Sequence, residues 1–158
     1  MPVKFPVTPA TNYLDKQGVM YTKHAYDYQR KGSDIAAEGL GVGLHEVVKT
    51  LVMQRENGTP FIVLQHGDKE VSLKELARQI GAKTAAPSDI KDAQKYTGYL
   101  VGGISPFGTK KALPVYVEET ILQMPRFFIN GGQRGFILEM TPQELRRAIN
   151  ITPINVSK

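Results

Sequence analysis

Thr97-Gly98-Tyr99-Leu100-Val101-Gly102-Gly103-Ile104-Ser105-Pro106-Phe107-Gly108 packs four glycines and a proline into twelve residues. Such a stretch makes neither a good helix nor a regular strand, because glycine loses most freedom on ordering and proline has no N–H to donate. It reads as a loop that lets backbone come close to a ligand, where N–H groups can hold an oxyanion or a phosphate. The ordinary alternative is a tight structural turn or bulge, and neither Walker nor Rossmann spacing is present.

Outward from this loop the signals for strands and helices are mixed. Thr8-Pro9 opens a helix that Gly18 stops, and Val19 to Tyr26 is a β-branched and aromatic run that predicts a strand. Ser33 is placed to cap a helix to about Leu40, and residues 44 to 49 suit one helical turn before the apolar run Thr50 to Met53. Glu56-Asn57-Gly58 signals a hairpin whose return strand is Thr59 to Leu64. Ser72 with Glu75 forms a capping box for a helix ending near Gly81, and Ser88 opens another after Pro87. Beyond the loop, Leu113 to Val117, Arg126 to Asn130 and Gly135 to Met140 predict strands, with Gly131-Gly132 as an interruption. Thr141-Pro142-Gln143-Glu144 announces the last helix, and the tail from Thr152 is expected to fray. Without strict βαβ alternation, the order predicts a single α+β domain over 1–158, core about 8–150, with a curved, mostly antiparallel or mixed sheet.

Composition narrows the chemistry. The 158 residues, 41% of them hydrophobic, suffice for one core. No run approaches the roughly 20 apolar residues of a membrane span, and Met1 to Ala10 carries no signal-peptide pattern, so a soluble cytoplasmic protein is expected. The absence of cysteine excludes disulfides and a protein thiol nucleophile. His24, His45 and His66 lack zinc-site spacing, so no metal and no cofactor are expected. A net charge of +5 is compatible with a phosphate-bearing partner but is common among soluble proteins.

Tyr96-Thr97-Gly98-Tyr99, Val101 to Gly108 and Lys110-Lys111 together resemble the signature of the YbaK/prolyl-tRNA-synthetase-associated editing domains. Val48-Lys49-Thr50-Leu51 is similar to that family's Lys-Thr segment at the start of a central strand, and Asn130 to Gly135 to its Gly-Gly-x-Arg-Gly loop. The likeness runs from about Thr8 to Ile149. It implies a mixed sheet curled into a partial barrel with helices outside, and hydrolysis of mischarged aminoacyl-tRNA. In the YbaK branch the substrate is Cys-tRNA(Pro). The implied partners are therefore aminoacylated tRNA, with tRNA(Pro) foremost, and prolyl-tRNA synthetase.

The resemblance also assigns roles. Lys49 would meet the terminal adenosine, pairing with phosphate or holding the aminoacylated ribose, where otherwise it reads as a solvated lysine. Gly102 and Gly103 would aim N–H groups at the ester oxyanion. Tyr26, Thr50 and Ser105 would line the substrate pocket. Ser105 lacks Gly-x-Ser-x-Gly neighbours and a histidine base, so it is not read as a nucleophile. Arg134 would anchor phosphate or brace its loop. Ile137 stands where cysteine-editing members carry Asp, and Asn130 where relatives often carry Ser. The Ile137 exchange admits three readings: Cys removal, removal of another small amino acid such as alanine, or a tRNA or synthetase-binding module without hydrolysis.

Overall fold

The computed structural model describes residues 4–27 and 33–158, with side chains from residue 36 onward in the second segment. Among the described residues five α-helices, α1 Pro9–Lys16, α2 Ser33–Leu40, α3 Leu73–Ile80, α4 Ile90–Thr97 and α5 Pro142–Ala148, accompany eight strands. The strands are β1 Thr22–Ala25, β2 Val47–Arg55, β3 Pro60–His66, β4 Ala85–Pro87, β5 Val115–Glu118, β6 Phe127–Gln133, β7 Phe136–Met140 and β8 Thr152–Ile154. They form one mixed sheet in the order β1-β7-β6-β2-β3-β5-β8, with β4 added beside β2. β2 runs parallel to β6, as β3 does to β5 and β5 to β8, and the remaining pairs are antiparallel. The α+β class and the mixed sheet agree with the reading of the sequence, and the sheet is not closed.

Local chemistry places the helices. Thr8 Oγ1 accepts from Thr11 N–H at 3.1 Å while Thr11 Oγ1 accepts from Thr8 N–H at 3.0 Å, a reciprocal cap ahead of Pro9. Ser72 and Thr141 cap α3 and α5 through the N–H groups of Glu75 and Glu144. The reciprocal arm expected of Glu144 is spent elsewhere, since its carboxylate accepts from Met20 N–H at 2.9 Å. Asp89, not Ser88, caps α4, which begins one residue later than a Ser88 cap would allow. The Ser33 cap lies outside the described side chains.

Both faces of the sheet are covered. Along β3, Ile62 and Leu64 join the main core with Leu14, Phe107, Phe127 and Leu145, while Phe61 and Val63 join a second cluster with Leu76 and Ala77 of α3. This two-sided burial is why the strand is apolar without alternation. A third cluster of Ala36, Ala37, Val47, Phe128 and Ile137 seats α2.

Two further expectations fail. The tail does not fray: β8 pairs with β5, Val156 is 1% exposed, and its N–H donates to Glu118 Oε2 at 2.9 Å. Its apolar positions Ile154 and Val156 complete the second cluster. Residues 44 to 49 are not one helical turn, because a 3-10 turn covers only Leu44–Glu46 and β2 starts at Val47, which places Lys49 inside a strand.

Candidate active site

An interruption in the sheet ladder positions the site. β3 follows one edge of β2 from Val48 to Gln54. On the opposite edge β6 pairs only at Val47 and Val48, and β4 only from Met53 to Arg55. Lys49 to Val52 therefore face a gap. Successive residues of a strand point their main-chain groups to opposite edges. Ser88 N–H donates to Val52 O at 3.0 Å across the gap side. Val52 therefore faces the gap, and so does Thr50 two residues earlier, its N–H and C=O directed away from β3. The Thr50 hydroxyl is also buried, with no hydrogen-bond partner among the described residues.

A cavity of about 200 Å³ opens at the first end of the gap, lined among others by Tyr26, Lys49, Thr50, Gly102, Asn130 and Ile137. Among the described residues Lys49 is its one charged wall group. Lys49 Nζ lies 3.7 Å from Glu70 Oε1, and Glu70 is 81% exposed, so this long ion pair is solvent-screened and leaves the ammonium able to meet an incoming anion. Tyr26 is half-buried, and burial raises its phenol pKa, which keeps the hydroxyl a hydrogen-bond donor.

Two glycine-bearing loops are fastened to each other beside the cavity. Gly103 N–H donates to Leu100 O at 2.9 Å, closing a turn in which Gly102 takes φ +95°. A Cβ on Gly102 would lie 2.6 Å from Arg134 Nε, and one on Gly103 would lie 3.0 Å from Gln133 Cα, so both positions require glycine for close approach. Arg134 Nε and Nη2 donate to Val101 O at 3.1 and 2.8 Å. Asn130 Nδ2 donates to Gly102 O at 2.9 Å and its Oδ1 accepts from Gly132 N–H at 2.7 Å.

The structure thus brings Tyr26, Lys49, Thr50, Gly102 and Ile137 to one cavity, and leaves three expected residues off its wall. Ser105 is fully buried; its Oγ accepts from Phe107 N–H at 3.1 Å, so it shapes the loop rather than the pocket. Its neighbour Tyr99 donates its hydroxyl to Phe107 O, and burial pushes the Tyr99 phenol up to about 12. Gly103 has committed its N–H to the turn, and of the two glycines only Gly102 lines the cavity. Arg134 braces Val101 and does not line the cavity. Sequence reading missed Asn130, Val101 and Ile104 as wall residues. For Asn130 the signal was available, since an amide two residues before a glycine can fold back on the glycine N–H.

A second cavity of about 370 Å³ lies along the gap and shares Lys49, Thr50, Val101 and Ile104 with the first. Elsewhere, His45, His66 and Asp68 bring ligand-type atoms within 4.8 Å of one another. The two imidazoles are stacked 3.7 Å apart at 7°, and His66 already bonds His45 O and Thr120 Oγ1. Parallel stacked rings do not converge their in-plane lone pairs on one ion.

The chain that carries this cavity, walled by a lysine, a glycine at positive φ and apolar side chains, has relatives among known proteins. The family model described as "Aminoacyl-tRNA editing domain" matches residues 29–148, and the chain belongs to that family. The Enterococcus faecalis protein named "Putative Cys-tRNA(Pro)/Cys-tRNA(Cys) deacylase EbsC" is 30% identical over 145 residues, 90% of this chain and 88% of its own. A proline–tRNA ligase of Limosilactobacillus fermentum is 25% identical over 107 residues, 65% of this chain but 19% of that enzyme. The crystal structure described as "a putative trans-editing enzyme for prolyl tRNA synthetase" superposes with a TM-score of 0.84 at 22% identity, covering 95% of each chain, which shows the shared fold. Among the described residues no helix is long and apolar enough to cross a membrane.

Proposed function

We propose that this chain is a trans-editing aminoacyl-tRNA deacylase that removes a small mischarged amino acid, Cys foremost, from tRNA(Pro), with prolyl-tRNA synthetase as the source of the error. The observation that carries the reading is the cavity of about 200 Å³ with Lys49 as its one charged wall group among the described residues. It is smaller than the roughly 300–1,000 Å³ of drug-sized sites and suits an amino-acid side chain.

In the reaction, the ester bond between the aminoacyl carbonyl and the terminal ribose oxygen breaks. The nucleophile is water, or for cysteine the substrate's own thiol, and the proton it loses ends on the ribose oxygen. Lys49 holds the ribose-phosphate end at the mouth. Gly102 N–H stabilises the oxyanion, and its turn, pinned by Arg134 and Asn130, holds that donor ready before the substrate arrives. Tyr26, Thr50 and Ile137 bound the side chain.

Ile137, 3% exposed on the cavity wall, favours a second reading in which the substrate side chain is another small one such as alanine. An apolar wall separates side chains differing by a methylene by only about 1–3 kcal/mol, so overlap between small amino acids is expected. The test is deacylation of tRNA(Pro) carrying labelled Cys or Ala by wild type and by Lys49→Ala. Loss of one label with wild type alone names the substrate, and intact esters across the panel would overturn the reading in favour of a binding module.

A further inference from the structure

We propose that the second cavity seats the adenine at the 3′ end of the tRNA, read by the Thr50 main chain across the gap and by the Thr50 and Ser88 hydroxyls; this rests on the deacylase reading above. Base and aminoacyl ester hang from one ribose, so a seat for the base must adjoin the ester cavity. The two cavities share Lys49, Thr50, Val101 and Ile104.

The chemistry of the wall fits an uncharged planar base. Leu51, Val52, Met53, Pro87 and Ala93 supply apolar surface, and Leu73 and Ile90 stand 39% and 61% exposed at the same cavity. Its volume of about 370 Å³ is the larger of the two. Glu70, the one carboxylate on this wall among the described residues, is paired with Lys49 and disfavours a phosphate there.

Polar groups on the wall complement the base edge. Adenine presents a ring-nitrogen acceptor beside an exocyclic amine donor, and unstacked terminal bases are commonly held on such edges. A strand residue facing an unpaired edge offers an N–H beside a C=O with the same spacing, and Thr50 is such a residue. Two buried side-chain oxygens without a protein partner are found among the described residues, Thr50 Oγ1 and Ser88 Oγ, and both belong to residues of this cavity. Buried polar atoms are otherwise nearly always paired, and their coincidence here marks a place where a ligand completes the bonding.

Inosine reverses both hydrogen-bonding groups of that edge while keeping the purine shape. The full chain is assayed on short substrates in which the preferred amino acid is esterified to adenosine or to inosine. The expected result is a kcat/KM about 10- to 100-fold lower for the inosine ester, carried by KM. Equal values for the two esters would overturn the proposal while leaving deacylation intact. Should the aminoacyl-tRNA panel show no hydrolysis, the deacylase reading fails separately, and the seat is still read by amide chemical shifts. Adenosine but not inosine moving Thr50 and Ser88 supports it, and neither or both moving them refutes it.

Discussion

β2 and β3 are neighbours of similar composition, yet one is scaffold and the other carries the site. β3 is buried at every residue from Pro60 to His66 and paired on both edges, to β2 and to β5. β2 is buried at Val47, Val48, Val52 and Met53 but half-buried between them, and there its second edge has no strand partner among the described residues. The difference teaches that this candidate site is made by leaving out part of a ladder, with the adjacent complete ladder holding the opening in shape.

If β3 is only scaffold, Phe61→Ala should destabilise the fold by about 3–5 kcal/mol while the protein that remains folded keeps its activity, as read by chemical denaturation beside a deacylation assay. If β2 is the working strand, Lys49→Ala should do the reverse, lowering kcat/KM about 100-fold with little change in melting temperature. An equal loss of stability would mean that Lys49 belongs to the scaffold. Arg134→Ala frees Val101 O and the Gly102 turn, so kcat should fall about tenfold, with Arg134→Lys failing to restore it because an ammonium lacks the planar two-nitrogen fork that clasps Val101 O. Thr50→Val removes an orphaned hydroxyl at nearly constant shape. It should leave stability unchanged or raise it by up to about 1 kcal/mol and weaken substrate binding several-fold, whereas a loss of stability would show that the hydroxyl is satisfied in the free protein.

The smallest expected effect is a pH dependence at the end of β3. Burial lowers the His66 pKa below its ordinary 6.5, so the folded protein holds the ring neutral while the unfolded chain takes up the proton first. Stability is therefore full above about pH 6.5 and falls as pH drops below it, down to the folded pKa. His66→Gln should flatten that part of the profile in denaturation curves measured from about pH 7 to pH 5.5.

Much of the fold was legible because its signals are local. Thr8-Pro9, Glu56-Asn57-Gly58, Ser72 and Thr141-Pro142 each fix a turn or cap through atoms within a few residues, and all fall where the sequence places them. What stayed hidden depends on partners far along the chain. β4 is three residues of Ala-Ala-Pro that become a strand only by lying on β2, and β8 exists because β5, far earlier in sequence, leaves an edge for it. The site divides in the same way. Lys49, Thr50, Gly102, Tyr26 and Ile137 were named from motif likeness and meet at one cavity. The inward turn of Ser105 and the capture of the Gly103 N–H by Leu100 are details of loop closure that residue identity does not encode.

The gap beside β2 also bears on self-association. An unpaired strand edge is a template for pairing with another chain, and proteins blunt it with charge, bulges or cover. Among the described residues the unpaired run is only Lys49 to Leu51, about 10 Å of strand, since Val52 O already accepts from Ser88 N–H, and it is closed off by β6 at one end and β4 at the other. A foreign strand would have to displace one of these neighbours to find enough partners, whereas a compact ligand needs to displace neither. The gap thereby leaves main-chain groups open to a compact guest on an edge too short for a second copy to pair with.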